Sequence, residues 1–131
     1  MLLTQRILDE LTEGAINSPR LRMNYNLHES INDSVQRMLN AIEPGSVIPI
    51  ARHKNVNETL IILRGRLKLR IHDERGVVTD EFILTASVGN FGFHIPKGVW
   101  HSVESLESGT VMFETREGPY KPLLKEDILD I

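Results

Sequence analysis

A chain of 131 residues, 40% of them hydrophobic and 25% charged, has the size and composition of one ordinary globular domain. The formal net charge of −3, with Lys and Arg scattered along the sequence, argues against a nucleic-acid-binding protein. The chain has no cysteine, which excludes disulfides, thiolate nucleophiles and Cys-ligated zinc or iron–sulfur sites, so nitrogen and oxygen atoms would have to hold any metal.

The N-terminal residues predict a short helix. Ile7, Leu8 and Leu11 fall on one helical face, and Thr4 is a suitable N-cap. Acidic residues come early and no basic segment precedes an apolar run, so a signal peptide is not expected. No stretch reaches the roughly 20 apolar residues of a membrane span. We therefore expect a cytoplasmic protein with a helical leader over residues 1–19.

From residue 20 onward, short runs rich in β-branched residues are separated by Gly, Pro, Asp or Asn. This punctuation is typical of a β-sandwich or barrel. One run, before a hairpin tip at residues 73–76, alternates in polarity, with Leu67, Leu69 and Ile71 on one face and Lys68, Arg70 and His72 on the other. The sequence predicts an all-β domain, a small barrel or jelly roll over residues 20–116. We expect residues 117–131 to form a C-terminal tail that packs on the barrel.

Residues 31–42 are ambiguous between helix and strand. Their apolar side chains recur at helical spacing, at positions 31, 35, 38, 39 and 42. The Glu-Pro-Gly-Ser sequence that follows is, however, a tight turn that suits a hairpin. Periodicity alone favours a helix, but the motif that begins in this turn favours a strand.

The motif is a set of fixed spacings. Five residues separate Gly45 from Ala51, and His53 lies two positions further on. Four more residues lead to Glu58, and six more to Gly65.

A second run, P-x-G-x-x-H, is formed by Pro96, Gly98 and His101. Together the two runs resemble the motifs of the cupin superfamily, roughly G-x5-H-x-H-x4-E-x6-G and G-x5-P-x-G-x-x-H, over residues 36–115. The stretches NYNLHES, VQRMLNAIEPGS, GVWHSVESLESGTVMFE and GPYKP extend the likeness along nearly the whole chain, which is similar to the WbuC family of cupin-fold metalloproteins. The resemblance implies a small cupin β-barrel with the N-terminal helix added.

Two positions depart from the cupin motifs. Ala51 replaces the first histidine, and a methyl group cannot bind a metal. Gly89 precedes Pro96 by six intervening residues rather than five, so the strand there carries a bulge or begins elsewhere.

The resemblance implies a divalent-metal site. Alternate residues of barrel strands point inward, so His53, Glu58 and His101 can converge. Two imidazoles and one carboxylate form a facial triad that leaves open positions for water and substrate, and this set suits zinc, iron, manganese or nickel. Glu58 could instead serve as a general base. His94 is a candidate replacement for the ligand missing at Ala51.

The remaining histidines have plainer interpretations. We expect His28 and His72 to be structural or exposed, and Arg52 to point away from the metal position as a solvated or interface residue. Edge strands in such a barrel need cover, so we expect a homodimer, the common cupin solution.

Three functional hypotheses follow. The first is a metal-dependent enzyme acting on a small carbohydrate-like molecule; the WbuC resemblance implies isomerase or epimerase chemistry in surface-polysaccharide biosynthesis. The second is a non-catalytic sugar-binding module in which Ala51 marks the loss of the metal. The third is a metal-free epimerase that uses His53 or His101 as a base, with Glu58 orienting the imidazole.

Overall fold

The computed structural model describes residues 1–129, which form two five-stranded antiparallel sheets and one α-helix. The helix α1 spans Gln5–Ile16. The strands are β1 Arg22–Asn26, β2 Val35–Ile42, β3 Ile50–Ala51, β4 Glu58–Arg64, β5 Leu67–His72, β6 Val78–Leu84, β7 Gly92–Ile95, β8 Trp100–Ser105, β9 Val111–Glu117 and β10 Ile128–Leu129. The strand order is β1-β2-β9-β4-β7 in the first sheet and β10-β3-β8-β5-β6 in the second. This confirms the predicted all-β jelly roll with an N-terminal helix.

The helix covers the outer face of the first sheet. Thr4 caps it by accepting a hydrogen bond from the backbone N–H of Ile7, at 3.4 Å. Its buried side chains pack against those of β2 and β9 in one cluster of Leu8, Leu11, Ala15, Leu39, Ala41 and Val111. Full burial of an aliphatic side chain contributes roughly 1.5–3 kcal/mol, so this cluster anchors the helix.

The larger core lies between the two sheets. It is made of Ile42, Leu60, Ile62, Leu67, Leu69, Leu84, Ile95 and Met112. Along β4 and β9 the inward side chains change from apolar to polar. On β4, for example, the charged Glu58 points to the same side as the apolar Leu60 and Ile62. The sheets therefore enclose an apolar core at one end and a polar site at the other.

The ambiguous segment contains the strand β2, which pairs with β1 and β9. Its side chains are buried on both faces, with Met38 and Ile42 facing the space between the sheets and Leu39 and Ala41 facing α1. A strand that is covered on both faces carries apolar residues on both, so its sequence loses the strand alternation and imitates a helical spacing.

Two motif glycines have backbone conformations that explain their positions. Gly65 has φ +88°, and a Cβ there would lie 2.4 Å from Oγ1 of Thr110, so this turn requires glycine. Gly89 ends a short 3-10 helix over Ala86–Val88 with φ +79°, and β7 begins only at Gly92. The extra residue before Pro96 is therefore explained by a strand that begins further along the chain.

His72 differs from its expected surroundings. It was expected on the polar face of the hairpin with Lys68 and Arg70, yet it is buried. Its Nε2 lies 2.8 Å from Oγ of Ser102 and its Nδ1 3.0 Å from the carbonyl oxygen of Gly76. His28 is also buried, with its Nδ1 3.1 Å from the backbone nitrogen of Arg37. Both imidazoles are thus buried and hydrogen-bonded, as structural histidines are.

The C-terminal segment returns to the second sheet, where β10 pairs with β3. The last two residues of the predicted tail, 130 and 131, lie outside the described residues. Within residues 1–129, no helix has the length and apolarity needed to cross a membrane. The edge strands are β1, β7, β10 and β6; the homodimer expected from such edges stays a prediction.

Candidate metal and ligand site

A cavity of about 390 Å³ opens between the sheets at their polar end. Seven of its lining side chains can ionise, and five of them form one cluster, made of His53, Glu58, His101, Glu114 and Arg116. The first three are the residues singled out by the motif spacing, and the structure brings them together. The last two were not predicted.

Two strands and one loop carry the motif residues. Glu58 begins β4 and lies opposite Arg116 of β9. His101 lies on β8 directly opposite Ala51 of β3. His53 follows β3 in a loop that is fixed by a hydrogen bond of 2.7 Å, donated by the N–H of Gly98 to the carbonyl of His53. The glycine turn before His101 thus also holds the loop that carries His53.

The contact between His101 and Glu58 joins two atoms that both have lone pairs. Nδ1 of His101 lies 3.0 Å from the carbonyl oxygen of Val99, which can only accept, so Nδ1 carries the proton in the neutral ring. Nε2 then presents a lone pair to Oε1 of Glu58, 3.0 Å away. That buried oxygen has no hydrogen bond of good geometry within residues 1–129. A proton on Nε2 of His101 would satisfy this contact, and so would a divalent metal ion bound by both residues.

His53 adds a third lone pair. Its Nε2 lies 3.8 Å from Oε1 of Glu58 and 3.2 Å from Nη1 of Arg116. A guanidinium only donates hydrogen bonds, so Nε2 of His53 is the acceptor. Two imidazole nitrogens and one carboxylate oxygen therefore converge, with Arg116 held on one of them.

The pKa values follow from this arrangement. Burial alone would raise the pKa of Glu58, but the hydrogen bond and the charge of His101 outweigh burial and lower it to about 2. Burial opposes the charged form of His101 as well, yet the Glu58 carboxylate and the Val99 carbonyl raise its pKa. Burial lowers the pKa of His53 and, with the charge of Arg116, outweighs the Glu58 carboxylate, which would raise it. His53 is thus the imidazole kept neutral, as a metal ligand must be.

Glu114 is the second carboxylate of the cavity. Burial and the charge of Glu58 raise its pKa to about 7. Its Oε2 accepts from Nη1 of Arg116 at 3.0 Å, and its Oε1 accepts from Nδ2 of Asn40 at 3.3 Å. A carboxyl group that titrates near neutral pH beside a carboxylate is able to hold or release a proton.

The sequence feature that indicates an inward direction for Glu114 and Arg116 is the alternation of the run TVMFETRE. Met112 is part of the core between the sheets, so residues 114 and 116, two and four positions on, face the same side. No motif spacing includes them, which is why the sequence analysis missed them.

The structure does not bring His94 to the cluster, contrary to the expectation that it replaces the ligand missing at Ala51. His94 is exposed, and its Nδ1 lies 2.9 Å from Oγ1 of Thr59, its direct partner on β4. Ile95, the next residue, is buried and pairs with Glu58. Because successive side chains of a strand point to opposite faces, an inward Ile95 places His94 outside.

Arg52 points away from the cluster, as expected, but it is not merely solvated. Its guanidinium lies 4.5 Å from the centre of the Trp100 ring, and its Nε lies 3.3 Å from Oδ1 of Asp127. Arg52 therefore ties the C-terminal segment to the second sheet.

The side chains of the cluster have suitable chemistry for a metal ion, but their positions in this structure do not form a complete coordination site. Within residues 1–129, no three His, Asp or Glu side chains are positioned to hold a metal ion as they stand. Donors bonded at about 2.1 Å to one ion lie roughly 3.0–3.4 Å apart. The pair of Glu58 and His101 meets this separation, whereas His53 has to move from Arg116 toward Glu58. The donor set and its orphaned oxygen suit a divalent cation once that movement occurs.

Comparison with solved structures shows the fold. KdgF from Halomonas sp. is 11% identical with a TM-score of 0.61, the match covering 80% of this chain and 85% of that one. The cupin domain of Schizosaccharomyces pombe Cnp3 is 14% identical with a TM-score of 0.60, over 80% and 70% of the two chains. The capsular polysaccharide assembling protein CapF from Staphylococcus aureus is 20% identical with a TM-score of 0.66, over 80% of this chain and 28% of CapF.

These likenesses confirm the cupin fold predicted from the motif spacing. No curated protein matches the sequence. A family model described as a domain of unknown function, DUF6016, matches residues 3–84, which is more than half of the chain. The protein is therefore a cupin-fold member of the DUF6016 family.

Proposed function

We propose that the protein binds a divalent cation, zinc, iron, manganese or nickel, through His53, Glu58 and His101 and acts on a small carbohydrate-like ligand in the cavity between its sheets. One observation carries the proposal. Oε1 of Glu58 is buried without a well-formed hydrogen bond among residues 1–129, and it faces the Nε2 atoms of two imidazoles.

When bound, such a cation polarises a carbonyl or activates a water. The chain's own groups supply the rest. Glu114 holds a proton near neutral pH beside the cavity and can deliver it to a ligand or accept one back. Asn40 and Arg116 fix the orientation of Glu114 through its two oxygens. A cation, a fixed acid–base group and enclosed space together support proton transfer on a sugar carbon or hydroxyl, the chemistry of isomerases and epimerases.

Two further points support a role in surface-polysaccharide biosynthesis. The sequence is similar to that of the WbuC family. The fold is like that of CapF, a capsular polysaccharide assembling protein of which this chain covers 28%. A sugar-modifying enzyme is the activity in best agreement with both likenesses and with the acid–base group in the cavity.

The first experiment measures metal content per chain, by mass spectrometry of untagged protein purified without chelators. We expect near-stoichiometric metal in the wild type, loss of it in His101→Ala, and full retention in His94→Ala, because His94 lies outside the cavity. Melting temperatures show whether each variant is folded. No metal in the folded wild type, even after incubation with Zn, Mn, Fe(II), Co and Ni ions, would contradict the proposal.

A second candidate is favoured by Arg116, whose guanidinium already lies on the lone pair of His53 at 3.2 Å. In that case Arg116 and the proton on His101 replace the metal, and the cavity belongs to a non-catalytic sugar-binding module. Selective binding to the folded state raises the melting temperature. This candidate therefore predicts that none of the metals raises the melting temperature and that a sugar ligand raises it without added metal.

A further inference from the structure

We infer that Arg20 and Arg22 form an anion subsite at the rim of the cavity, which selects a ligand that carries a carboxylate or a phosphate group. Both arginines line the cavity that holds His53, Glu58 and His101. The inference rests on the proposed function in that it names the ligand class of the same cavity.

The strand register directs Arg22 into the cavity. Arg22 of β1 lies opposite Ile42 of β2, which belongs to the core between the sheets. Asn24 lies opposite Asn40, and both line the cavity. Directly opposed residues point to the same side of a sheet, so the edge strand β1 turns polar side chains inward.

Neutral groups hold the guanidinium of Arg22 in place. Its Nη1 donates to the carbonyl of Val47 at 2.9 Å and lies 3.5 Å from Oγ of Ser46. That hydroxyl in turn donates to the carbonyl of Arg20 at 2.7 Å. None of these acceptors carries a charge, so the side chain is positioned while its charge stays uncompensated.

The carboxylates nearby have other partners. Glu43, the residue after Ile42, accepts from Oγ of Ser108 and, at 2.8 Å, from the N–H of Gly109. Within residues 1–129, neither Arg20 nor Arg22 forms an ion pair with a carboxylate. Both arginines line the same cavity, and burial together with the charge of Arg20 lowers the pKa of Arg22. An anion between them would relieve this repulsion.

The backbone between the two arginines is strained. Leu21 has φ +56°, the one residue other than glycine with a positive φ among residues 1–129. Its conformation is fixed by its N–H, which donates to the carbonyl of Ser18, and by its carbonyl, which accepts from the N–H of Glu43, both at 2.9 Å. Leucine is unfavourable in this region, and such strain persists where the surrounding structure imposes it, often at ligand sites.

The cavity then has two chemically different ends. Arg20 and Arg22 supply positive charge at the rim, while Glu58 and Glu114 lie deeper beside the histidines. A volume of about 390 Å³ is at the lower end of typical small-ligand sites. The matching ligand is a monosaccharide-sized anion, a sugar acid or a sugar phosphate, whose charged group binds the arginines and whose hydroxyl or carbonyl oxygens reach the cluster.

The test is calorimetric titration with D-glucuronate, D-glucose 6-phosphate and neutral D-glucose. We expect at least one anionic sugar to bind roughly tenfold more tightly than glucose, since a charge-assisted pair contributes on that scale. The double variant Arg20→Gln/Arg22→Gln should lose that advantage. The matched control Arg75→Gln, at the exposed tip of the β5–β6 hairpin, should keep it. The stronger of the two anionic ligands identifies the charged group as carboxylate or phosphate.

Each titration is repeated after metal loading and after chelation, so that the two proposals fail separately. A preference for anions that persists in chelated protein supports the arginine subsite whatever the metal analysis gives. Equal affinity for anionic and neutral sugars, no binding of either anionic sugar at millimolar concentration, or an unchanged preference in the folded double variant would each overturn the inference. Melting temperatures establish that the double variant is folded.

Discussion

Ala51 and His101 are direct partners across β3 and β8, so the methyl group of Ala51 lies on the same face as the imidazole of His101. Direct partners have Cβ atoms about 4.5–5.5 Å apart. Position 51 is therefore within reach of the pair formed by His101 and Glu58, and it lines the cavity. The alanine departs from the cupin motif at a point where a longer side chain could still reach the cluster.

The substitution Ala51→His should accordingly strengthen metal binding. It adds a fourth donor beside His53, Glu58 and His101, so we expect divalent-cation affinity to rise roughly tenfold or more, equivalent to about 1.4 kcal/mol. The measurement is competition with a chromophoric zinc chelator. Val78→His places the same imidazole on an exposed strand and should leave the affinity unchanged. Equal affinities in the two variants would show that position 51 does not reach the metal.

Arg116→Gln should also tighten metal binding, for an electrostatic reason. The guanidinium lies 3.2 Å from Nε2 of His53 and 3.9 Å from Oε2 of Glu58, so it competes with a metal for both side chains. Removing this charge frees the lone pair of His53 and should raise the affinity for zinc about tenfold. Arg75→Gln serves as the control for loss of a distant charge. Unchanged or weaker zinc binding in folded Arg116→Gln would favour a metal-free site.

Whether a site residue could be predicted from the sequence depended on what determines the position and direction of its side chain. His53, Glu58 and His101 were found because turns and strand alternation set their spacings, and these leave a regular pattern in the sequence. Glu114 and Arg116 were missed because no motif spacing includes them and because β9 also packs apolar side chains against α1 on its other face. A strand buried on both faces has apolar neighbours on both, which hides the phase of the alternation.

The same effect explains the ambiguity of β2, and a different one explains His94. The helical spacing within residues 35–42 came from apolar residues on two faces of a strand, and only the adjoining motif identified it as β. His94 was a candidate replacement ligand, a role that requires an inward direction. The ladder instead pairs it with Thr59, on the outer face of β4. Strand phase was therefore the property that local sequence specified least well.

The raised pKa of Glu114 predicts a stability that declines with pH. Its pKa of about 7 exceeds the 4.5 of an ordinary glutamate, so the folded chain binds this proton more tightly than the unfolded chain. Between these values the folded state holds more protons, and the free energy of unfolding falls as pH rises, by about 3 kcal/mol in total. The pKa of Glu58, lowered to about 2, acts below this window, with the opposite sign.

The check is urea denaturation of chelated protein at a series of pH values from 4.5 to 6.5. This range lies below the raised pKa of His101, whose stabilisation is lost only as pH rises through that value. The lowered pKa of His53 acts within the range with the opposite sign, but it is common to the wild type and to Glu114→Gln. The difference between the two curves should therefore fall as pH rises, because only the wild type takes up a proton at position 114. Glu74→Gln, at the exposed hairpin tip, should reproduce the wild-type slope. A wild-type slope in Glu114→Gln would mean that this carboxyl does not titrate in the window.

The tie between the C-terminal segment and the second sheet gives the last prediction. Asp127 is buried and lies 3.3 Å from Nε of Arg52, which stacks on Trp100. Asp127→Ala leaves that half-buried guanidinium without its acceptor, so we expect a loss of about 1–3 kcal/mol of stability and faster proteolysis after residue 117. The neighbouring Glu126 is 59% exposed, and Glu126→Ala removes only a surface pair with Lys54, so it should cost about 0.2–1 kcal/mol. Equal losses in the two variants would show that burial of Asp127 adds nothing to the anchor.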